Sequence, residues 1–189
     1  MSRNKGSKTQ GKRSLRSAKT PTVRSREVYT SFNIQMPKER RGNATTPKLE
    51  IRPFLNGDEQ AVIALWRACN LTRPWNDPAR DIARKLKVNP ELFLVGVMDG
   101  RVIATVMGGY EGHRGWVNYL AVEPVYQRRG IAREMMGVVA EKLLALGCPK
   151  INLQVRSDNT SALEFYERTG YTRDDVVSMG KRLIEEEPG

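Results

Sequence analysis

A strand that leads through a short turn into a helix, at residues 120–132, constrains this chain more than any other feature of its sequence. The residues before the turn are Leu-Ala-Val, apolar and β-branched at their end, which predicts a buried strand over residues 116–123. Pro124 has no backbone N–H to give to a sheet, so it ends that strand. The residues from Gln127 onward then predict an amphipathic helix that runs to about Leu146 and stops at the following glycine.

The start of this helix is suited to bind an anion. The backbone N–H groups of a first helical turn have no partner inside the helix, and the helix dipole is positive there. Two small residues, Gly130 and Ala132, let a phosphate come close to the backbone, and three arginines add positive charge: Arg128, Arg129 and Arg133. The turn therefore predicts a cradle for a pyrophosphate. It is not a Walker loop, because no Gly-Lys-Ser/Thr follows, and the nucleotide fingerprint GxGxxG is absent.

Two blocks of sequence together resemble the signatures of the GNAT superfamily of N-acetyltransferases. The first is the spacing Q-x-x-G-x-A at residues 127–132. The second begins at Asn159, continues through Phe165-Tyr166 and is followed by Gly170-Tyr171, at the expected distance. The resemblance covers residues 48–189, and four further blocks are similar to the bacterial YpeA branch: residues 73–78, 108–114, 147–150 and 178–184.

The predicted order of elements agrees with this resemblance. The patterns predict strands at residues 48–53, 91–98, 101–110, 116–123 and 150–156, a last strand or hairpin at 171–184, and helices at 57–70, 79–87, 127–146 and after a cap at 157–159. The predicted fold class is α/β, and the resemblance implies a GNAT-like mixed, mostly antiparallel sheet flanked by helices. The predicted acetyltransferase domain spans residues 48–189.

All the excess positive charge lies at the N-terminus. Residues 1–48 hold 13 Lys and Arg against two Glu, whereas residues 49–189 hold 19 Lys and Arg and 19 Asp and Glu. The net charge of the domain is therefore zero, and it gives no reason to expect nucleic-acid binding. Residues 1–47 are poor in large aliphatic side chains, which predicts a disordered basic tail. Four roles stay open for it: a solvated tail, an arm that contacts a polyanion such as RNA, an organelle-targeting peptide, or a segment upstream of a true start at Met36.

The two cysteines, Cys69 and Cys148, have no metal-type spacing. We therefore expect two free thiols rather than a disulfide, as in a protein of a reducing compartment such as the cytoplasm. We also expect no metal. No apolar run has the length needed to cross a membrane. The sequence leaves an oligomer open.

The resemblance implies that acetyl-CoA is the co-substrate, and it implies which residues bind it. In the family, the strand before the turn splays from its neighbour, and its backbone pairs with the pantetheine arm and the thioester carbonyl. The turn holds the pyrophosphate, and a residue at the start of the next helix touches the pantetheine arm. The residues so implicated are Leu120, Ala121, Val122, Gln127, Arg128, Arg129, Gly130, Ile131, Ala132, Arg133 and Asn159.

Tyr166 is the predicted general acid. It follows Asn159 by seven residues, two helical turns, so both should project from one helix face. A phenol has a pKa of about 10 and a thiol a pKa of about 8.5, so proton transfer from the phenol to a thiolate is only modestly unfavourable. The alternative for this residue is a structural role, as an aromatic side chain packed under the helix.

The general base is less evident. Some family members that acetylate protein α-amines carry a glutamate where this chain has Gln154, which cannot take a proton. His113, the only histidine, is the second catalytic candidate, since histidine changes charge near neutral pH. Glu111 is a poorer candidate. Deprotonation through water, or an acceptor that arrives partly neutral, would need no base.

These observations predict direct transfer of an acetyl group from acetyl-CoA to an amine of a small molecule or protein, without a metal or a covalent enzyme intermediate. A site without a strong base suits α-amines, of pKa about 7.7–8, better than lysine amines, of pKa about 10.4. The alternatives are a ribosomal-type protein N-terminal alanine acetyltransferase and a non-catalytic protein that binds acyl-CoA or RNA.

Overall fold

The computed structural model describes residues 48–184, so the tail predicted at residues 1–47 lies outside the described residues. Within that range the chain forms five strands and four α-helices. They are β1 (Glu50–Pro53), α1 (Glu59–Ala68), α2 (Pro78–Lys85), β2 (Phe93–Met98), β3 (Arg101–Tyr110), β4 (Gly115–Val122), α3 (Ile131–Ala145), β5 (Ile151–Leu153) and α4 (Thr160–Arg168).

The strands form one sheet in the order β1-β2-β3-β4-β5. Neighbours from β1 to β4 are antiparallel, and β5 is parallel to β4. Asp99 and Gly100 both have positive φ, 49° and 73°, as a two-residue hairpin between β2 and β3 requires. The mixed, mostly antiparallel sheet predicted from the sequence is confirmed.

Helices cover both faces of the sheet, so its central strands are apolar on both sides. In β2, Phe93 and Val95 pack with α1 and α2, and Leu94 between them packs with α3. This alternation follows the period of two of an extended chain. At Gly108 of β3, an added Cβ would lie 2.6 Å from the Val139 Cγ2 atom, so a glycine is needed there for α3 to lie close to the sheet. This close approach places α3 directly over the later part of β3.

Two of the predicted elements are wrong in their position or type. The cofactor helix begins at Ile131 rather than Gln127, because residues Pro124–Tyr126 form a separate 3₁₀ turn and Gly130 takes a left-handed φ of 87°. Residues 171–184 form neither strand nor hairpin in the described chain. The neighbouring strand β5 is only three residues long, shorter than the predicted 150–156, and offers little edge for a further strand to pair with.

Cys69 and Cys148 are free thiols, as the sequence predicts. Among residues 48–184, no helix is both long enough and apolar enough to span a bilayer.

Candidate active site

The candidate active site begins where β4 and β5 separate. The two strands pair only from Gly115 to Val117, opposite β5, and β5 then ends while β4 continues to Val122. The part of β4 at residues 118–122 therefore pairs with β3 on one side and with no strand of residues 48–184 on the other. An unpaired strand edge presents backbone N–H and C=O groups that an extended ligand can bind. The splay implied by the family resemblance is thus present in the fold.

A β-bulge lies at the point of separation. Thr105 pairs with Ala121 and Met107 pairs with Asn118, so two residues of β4, Tyr119 and Leu120, lie opposite one residue of β3. Tyr119 has a φ of 51°, which is rare for a residue with a large side chain. Bulges bend a strand and change the direction of its backbone groups. The bulge therefore sets how the open edge of β4 is presented.

Side chains from the helices hold this bulge. The Trp66 indole N–H donates to Thr105 Oγ1 at 2.9 Å, and the Thr105 hydroxyl donates to the Tyr119 carbonyl at 2.9 Å. The Tyr119 ring stacks on Trp66 with 4.0 Å between ring centroids, and its hydroxyl donates to Asp81 at 2.6 Å. The strained residue is thus fixed through both its carbonyl and its side chain.

Sequence reasoning did not find this network. The available signal was a single threonine, Thr105, inside the apolar strand β3, because a fully buried hydroxyl needs a partner. The partners themselves are 39 and 14 residues away in the chain, and only the fold brings them together.

We expect Thr105→Val to destabilise the protein by about 1–3 kcal/mol, because it leaves the buried Trp66 indole N–H without its acceptor and removes the hydroxyl that donates to the Tyr119 carbonyl. Urea unfolding measures the loss, and hydrogen exchange of the Trp66 indole N–H should become faster. Thr105→Ser is the matched control, since it keeps the hydroxyl and should keep the indole protected. An indole that exchanges equally slowly in the valine variant would contradict this role.

The turn before α3 has the geometry of an anion site. Arg128 and Gly130 both have left-handed backbone, with φ of 60° and 87°, and no atom lies within 4 Å of the position that a Cβ on Gly130 would occupy. No hydrogen bond within residues 48–184 involves the backbone N–H groups of residues 131–133. Free amides, open space and a helix N-terminus at one place can hold a phosphate.

The side chains of the turn differ in their contacts. Arg128, Arg129 and Arg133 are exposed, and the Arg129 guanidinium lies 5.3 Å from the centre of the Tyr126 ring. Ile131 is buried in the core and Ala132 is half-buried against it, so both can offer a ligand mainly their backbone. The turn therefore combines exposed positive charge with backbone amides that are positioned by packing.

Gln127 fastens the turn to the end of β4. Its side-chain amide donates to the Val122 carbonyl at 2.9 Å, and the Cys69 thiol contacts the same carbonyl at 3.3 Å. Burial raises the pKa of the Cys69 thiol, so it is not an activated nucleophile. Through this bond Gln127 holds the turn before α3 against the end of β4.

Asn159 is the N-cap of α4, and its side-chain oxygen accepts from the Ala162 N–H at 3.1 Å. Asn159 therefore lies at the start of α4, and Tyr166 lies seven residues later in the same helix. Tyr166 is half-buried and makes edge contacts with Phe165 and Tyr171, at centroid distances of 5.1 and 5.5 Å. Burial, with a smaller contribution from Tyr171, raises the pKa of Tyr166 to about 12.

His113 lies in the exposed loop between β3 and β4, at the Gly115 end of β4. Seven residues, roughly 23 Å of extended chain, separate Gly115 from Val122. The Glu111 carboxylate accepts from the backbone N–H groups of His113 and Arg114, which lowers its pKa. Within the described residues no contact joins His113 to Tyr166, so the structure does not bring the two catalytic candidates together.

Metal ligands are not grouped in the part of the chain that the structure describes: no cluster of three or more His, Cys, Asp or Glu side chains there has a geometry that would hold an ion.

The sequence of residues 60–171 shows the family to which this chain belongs. The model of the family described as "Acetyltransferase (GNAT) family" matches residues 60–171, from α1 through α4. The chain belongs to the GNAT family of acetyltransferases. An acetyltransferase of Pectobacterium atrosepticum is 50% identical to this GNAT chain over 138 residues, which cover 73% of the chain and 98% of the relative. The finer resemblance to the YpeA branch stays a prediction.

Solved structures share the fold of this GNAT chain. The crystal structure of Ard1 from Thermoplasma volcanium is 23% identical, with a TM-score of 0.57, and the match covers 66% of this chain and 82% of that one. The structure of AAC(6')-Iy in complex with a bisubstrate analogue that contains CoA is 16% identical, with a TM-score of 0.60, and covers 71% and 99%. At these identities the likeness shows the fold alone.

Proposed function

We propose that this acetyltransferase transfers an acetyl group from acetyl-CoA directly to an amine bound in the same complex. The observation that carries the proposal is the open edge of β4 at residues 118–122, one short turn away from the free N-terminus of α3. The first can pair with the amide groups of a pantetheine arm, and the second can hold a pyrophosphate. AAC(6')-Iy, which has the same fold, was solved with a CoA-containing analogue, and this supports the assignment.

The residues of the site fit such a ligand. The space beside Gly130 admits phosphate oxygens to the free amides of residues 131–133, and exposed Arg128 and Arg133 can neutralise their charge. The bulge at Tyr119 fixes the edge along which the arm would lie. When bound, acetyl-CoA supplies the activated acetyl group as a thioester. The protein binds, orients and shields it.

Tyr166 supplies a proton donor. Its pKa of about 12 keeps the phenol protonated at neutral pH, so it can donate a hydrogen bond throughout the working range. The same high pKa makes the phenol a weaker acid than free tyrosine. In the proposal, Tyr166 therefore stabilises the developing thiolate mainly by hydrogen bonding and yields its proton late.

The acceptor we propose is an amine of low pKa, such as the α-amine of a peptide. Gln154 occupies the position of the glutamate found in some family members, and its side-chain N–H donates to Ser178 Oγ at 2.6 Å. An amide cannot remove a proton from an ammonium group. At neutral pH an α-amine is neutral in a sizeable fraction of molecules, whereas a lysine amine is neutral in about one in a thousand.

An acceptor panel tests this proposal. The full chain is incubated with acetyl-CoA and either peptides with a free α-amine and blocked lysines or peptides with a blocked α-amine and free lysine, and thiol release is measured from pH 6 to 9. We expect turnover of the α-amine peptides, with a rate that rises to about pH 8 and then levels, as the acceptor loses its proton. Turnover on lysine peptides alone would refute the choice of acceptor. Saturable acetyl-CoA binding without thiol release on any amine would favour the non-catalytic alternative.

A further inference from the structure

The buried hydroxyl of Thr105 makes two hydrogen bonds whose directions are fixed. Its oxygen accepts from the Trp66 indole N–H at 2.9 Å, and its proton goes to the Tyr119 carbonyl at 2.9 Å. An indole N–H can only donate, so the hydroxyl accepts from Trp66 and keeps its single proton for Tyr119. Trp66 therefore sets the direction in which Thr105 donates.

This bond orients the peptide group that joins Tyr119 to Leu120. A trans peptide group is planar, and its C=O and N–H point in opposite directions. The Tyr119 carbonyl points toward the hydroxyl of Thr105, a residue of β3. The N–H of the same peptide group, which is that of Leu120, therefore points away from Thr105.

No strand of the described chain pairs with Leu120. The register between β3 and β4 passes from Asn118 directly to Ala121, so Leu120 has no partner in β3. On the other side, the pairing of β4 with β5 ends at Val117. The Leu120 N–H consequently lies at the open edge of β4, along which the pantetheine arm and its thioester would lie in the proposed complex.

The backbone at this place is strained and is held from several sides. Tyr119 has a φ of 51°, its ring stacks on Trp66 at 4.0 Å, and its hydroxyl donates to Asp81 at 2.6 Å. Strained backbone persists only where the surrounding contacts over-determine it, and it is common where function needs one particular geometry. Together with the bond from Thr105, these contacts fix the direction of the peptide group after Tyr119.

We propose that Thr105 is a positioning residue for acetyl transfer, whose hydroxyl holds this peptide group so that the Leu120 N–H donates to the thioester carbonyl of acetyl-CoA. The inference rests on the proposed function. Thr105 is fully buried and acts only through the backbone of Tyr119 and Leu120.

The Leu120 N–H acts on the charge that develops during transfer. The amine nitrogen bonds to the carbonyl carbon, the carbon–sulfur bond breaks, and the sulfur leaves with the bonding electron pair. The amine gives a proton to water, and the sulfur takes one from Tyr166, which regains it from solvent. During this exchange the carbonyl oxygen gains negative charge, and an N–H donor that is already aimed at the oxygen stabilises that charge.

Carbon-13 NMR of acetyl-CoA labelled at its thioester carbonyl and bound to the full chain tests the inference without an acceptor. A hydrogen bond to the carbonyl oxygen polarises the C=O bond, so we expect the label to move downfield when it binds to the wild type. Thr105→Val should lose most of this shift and lower the turnover number about tenfold or more, while the affinity for acetyl-CoA stays unchanged. Thr105→Ser keeps the hydroxyl and should restore both the shift and the turnover number.

Thr172→Val is the matched control, because it makes the same substitution at an exposed position and should keep the wild-type shift. If circular dichroism shows that Thr105→Val does not fold, Tyr119→Phe takes its place. This variant keeps the ring on Trp66 but removes the bond to Asp81, and should lose a smaller part of the shift. Equal shifts in the wild type and in the folded variant would overturn this inference alone. A wild type that does not bind acetyl-CoA would overturn the proposed function as well.

Discussion

Gly130→Glu is expected to abolish acetyl-CoA binding, with a loss of affinity of at least about 100-fold. The new side chain would fill the open space at the N-terminus of α3 and place a negative charge where the pyrophosphate should lie. Each charge-assisted hydrogen bond that is lost costs about 1.5–3 kcal/mol, and each 1.4 kcal/mol is a factor of ten in affinity. Isothermal titration calorimetry of acetyl-CoA into the full chain measures the change.

Gly147→Glu is the matched control for this experiment. Gly147 has a similar left-handed φ of 81°, has no atom within 4 Å of the Cβ position, and lies just beyond the other end of the same helix. Both variants therefore carry comparable backbone strain on the folded state. We expect Gly147→Glu to bind acetyl-CoA like the wild type. Equal affinities in the wild type and Gly130→Glu would show that the turn before α3 does not hold the cofactor.

The strand-turn-helix unit could be predicted because its signals are local. Pro124 ends β4, Gly130 allows the backbone to enter α3, and the apolar spacing of α3 shows which side packs on the sheet. The starting residue of the helix was misplaced by four positions, since Arg128 and Gly130 take a left-handed backbone conformation that no helix contains, and α3 begins only at Ile131. The proposed anion site depends on the amides of a helix N-terminus and on small side chains, and both are local features of the sequence.

The bulge could not be predicted, because nothing at Tyr119 itself indicates a left-handed backbone. Large side chains rarely adopt positive φ, and glycine or asparagine would have been the usual signal. The conformation is maintained by Trp66, Thr105 and Asp81, which come from α1, β3 and α2. These contacts depend on the complete fold, so no single segment of the sequence predicts them.

The wrong prediction of a last strand has a related cause. Residues 171–184 alternate apolar and polar side chains in places, which favours a strand by local pattern. A strand also needs a partner edge, and β5 offers three residues. The local pattern was therefore not sufficient, because the described sheet offers these residues no long edge with which to pair.

Tyr166→Phe is expected to lower the turnover number by about 100-fold while leaving the affinity for acetyl-CoA unchanged. A positioned proton donor typically increases a rate by about 10²–10⁴-fold. Because its high pKa makes Tyr166 a weak acid, we expect an effect near the lower end of this range. Steady-state kinetics with a saturating acceptor measure the turnover number, and calorimetry measures the affinity. Tyr110→Phe is the control, since it also removes a phenol hydroxyl, but one that bonds to the Gly112 carbonyl in the loop before β4. We expect it to keep wild-type turnover.

Tyr166→Phe should also change how the free energy of unfolding depends on pH above pH 10. The pKa of Tyr166 rises from 10 in the unfolded chain to about 12 in the folded protein, so between these values the folded state keeps a proton that the unfolded state releases. The contribution is complete below pH 10 and is lost as the pH rises toward 12. We therefore expect the wild type to lose more unfolding free energy than Tyr166→Phe between pH 10 and 12, measured by urea unfolding. Parallel losses in the two proteins would mean that Tyr166 ionises like a solvent-exposed phenol, and would remove the physical basis for its role as a protonated donor.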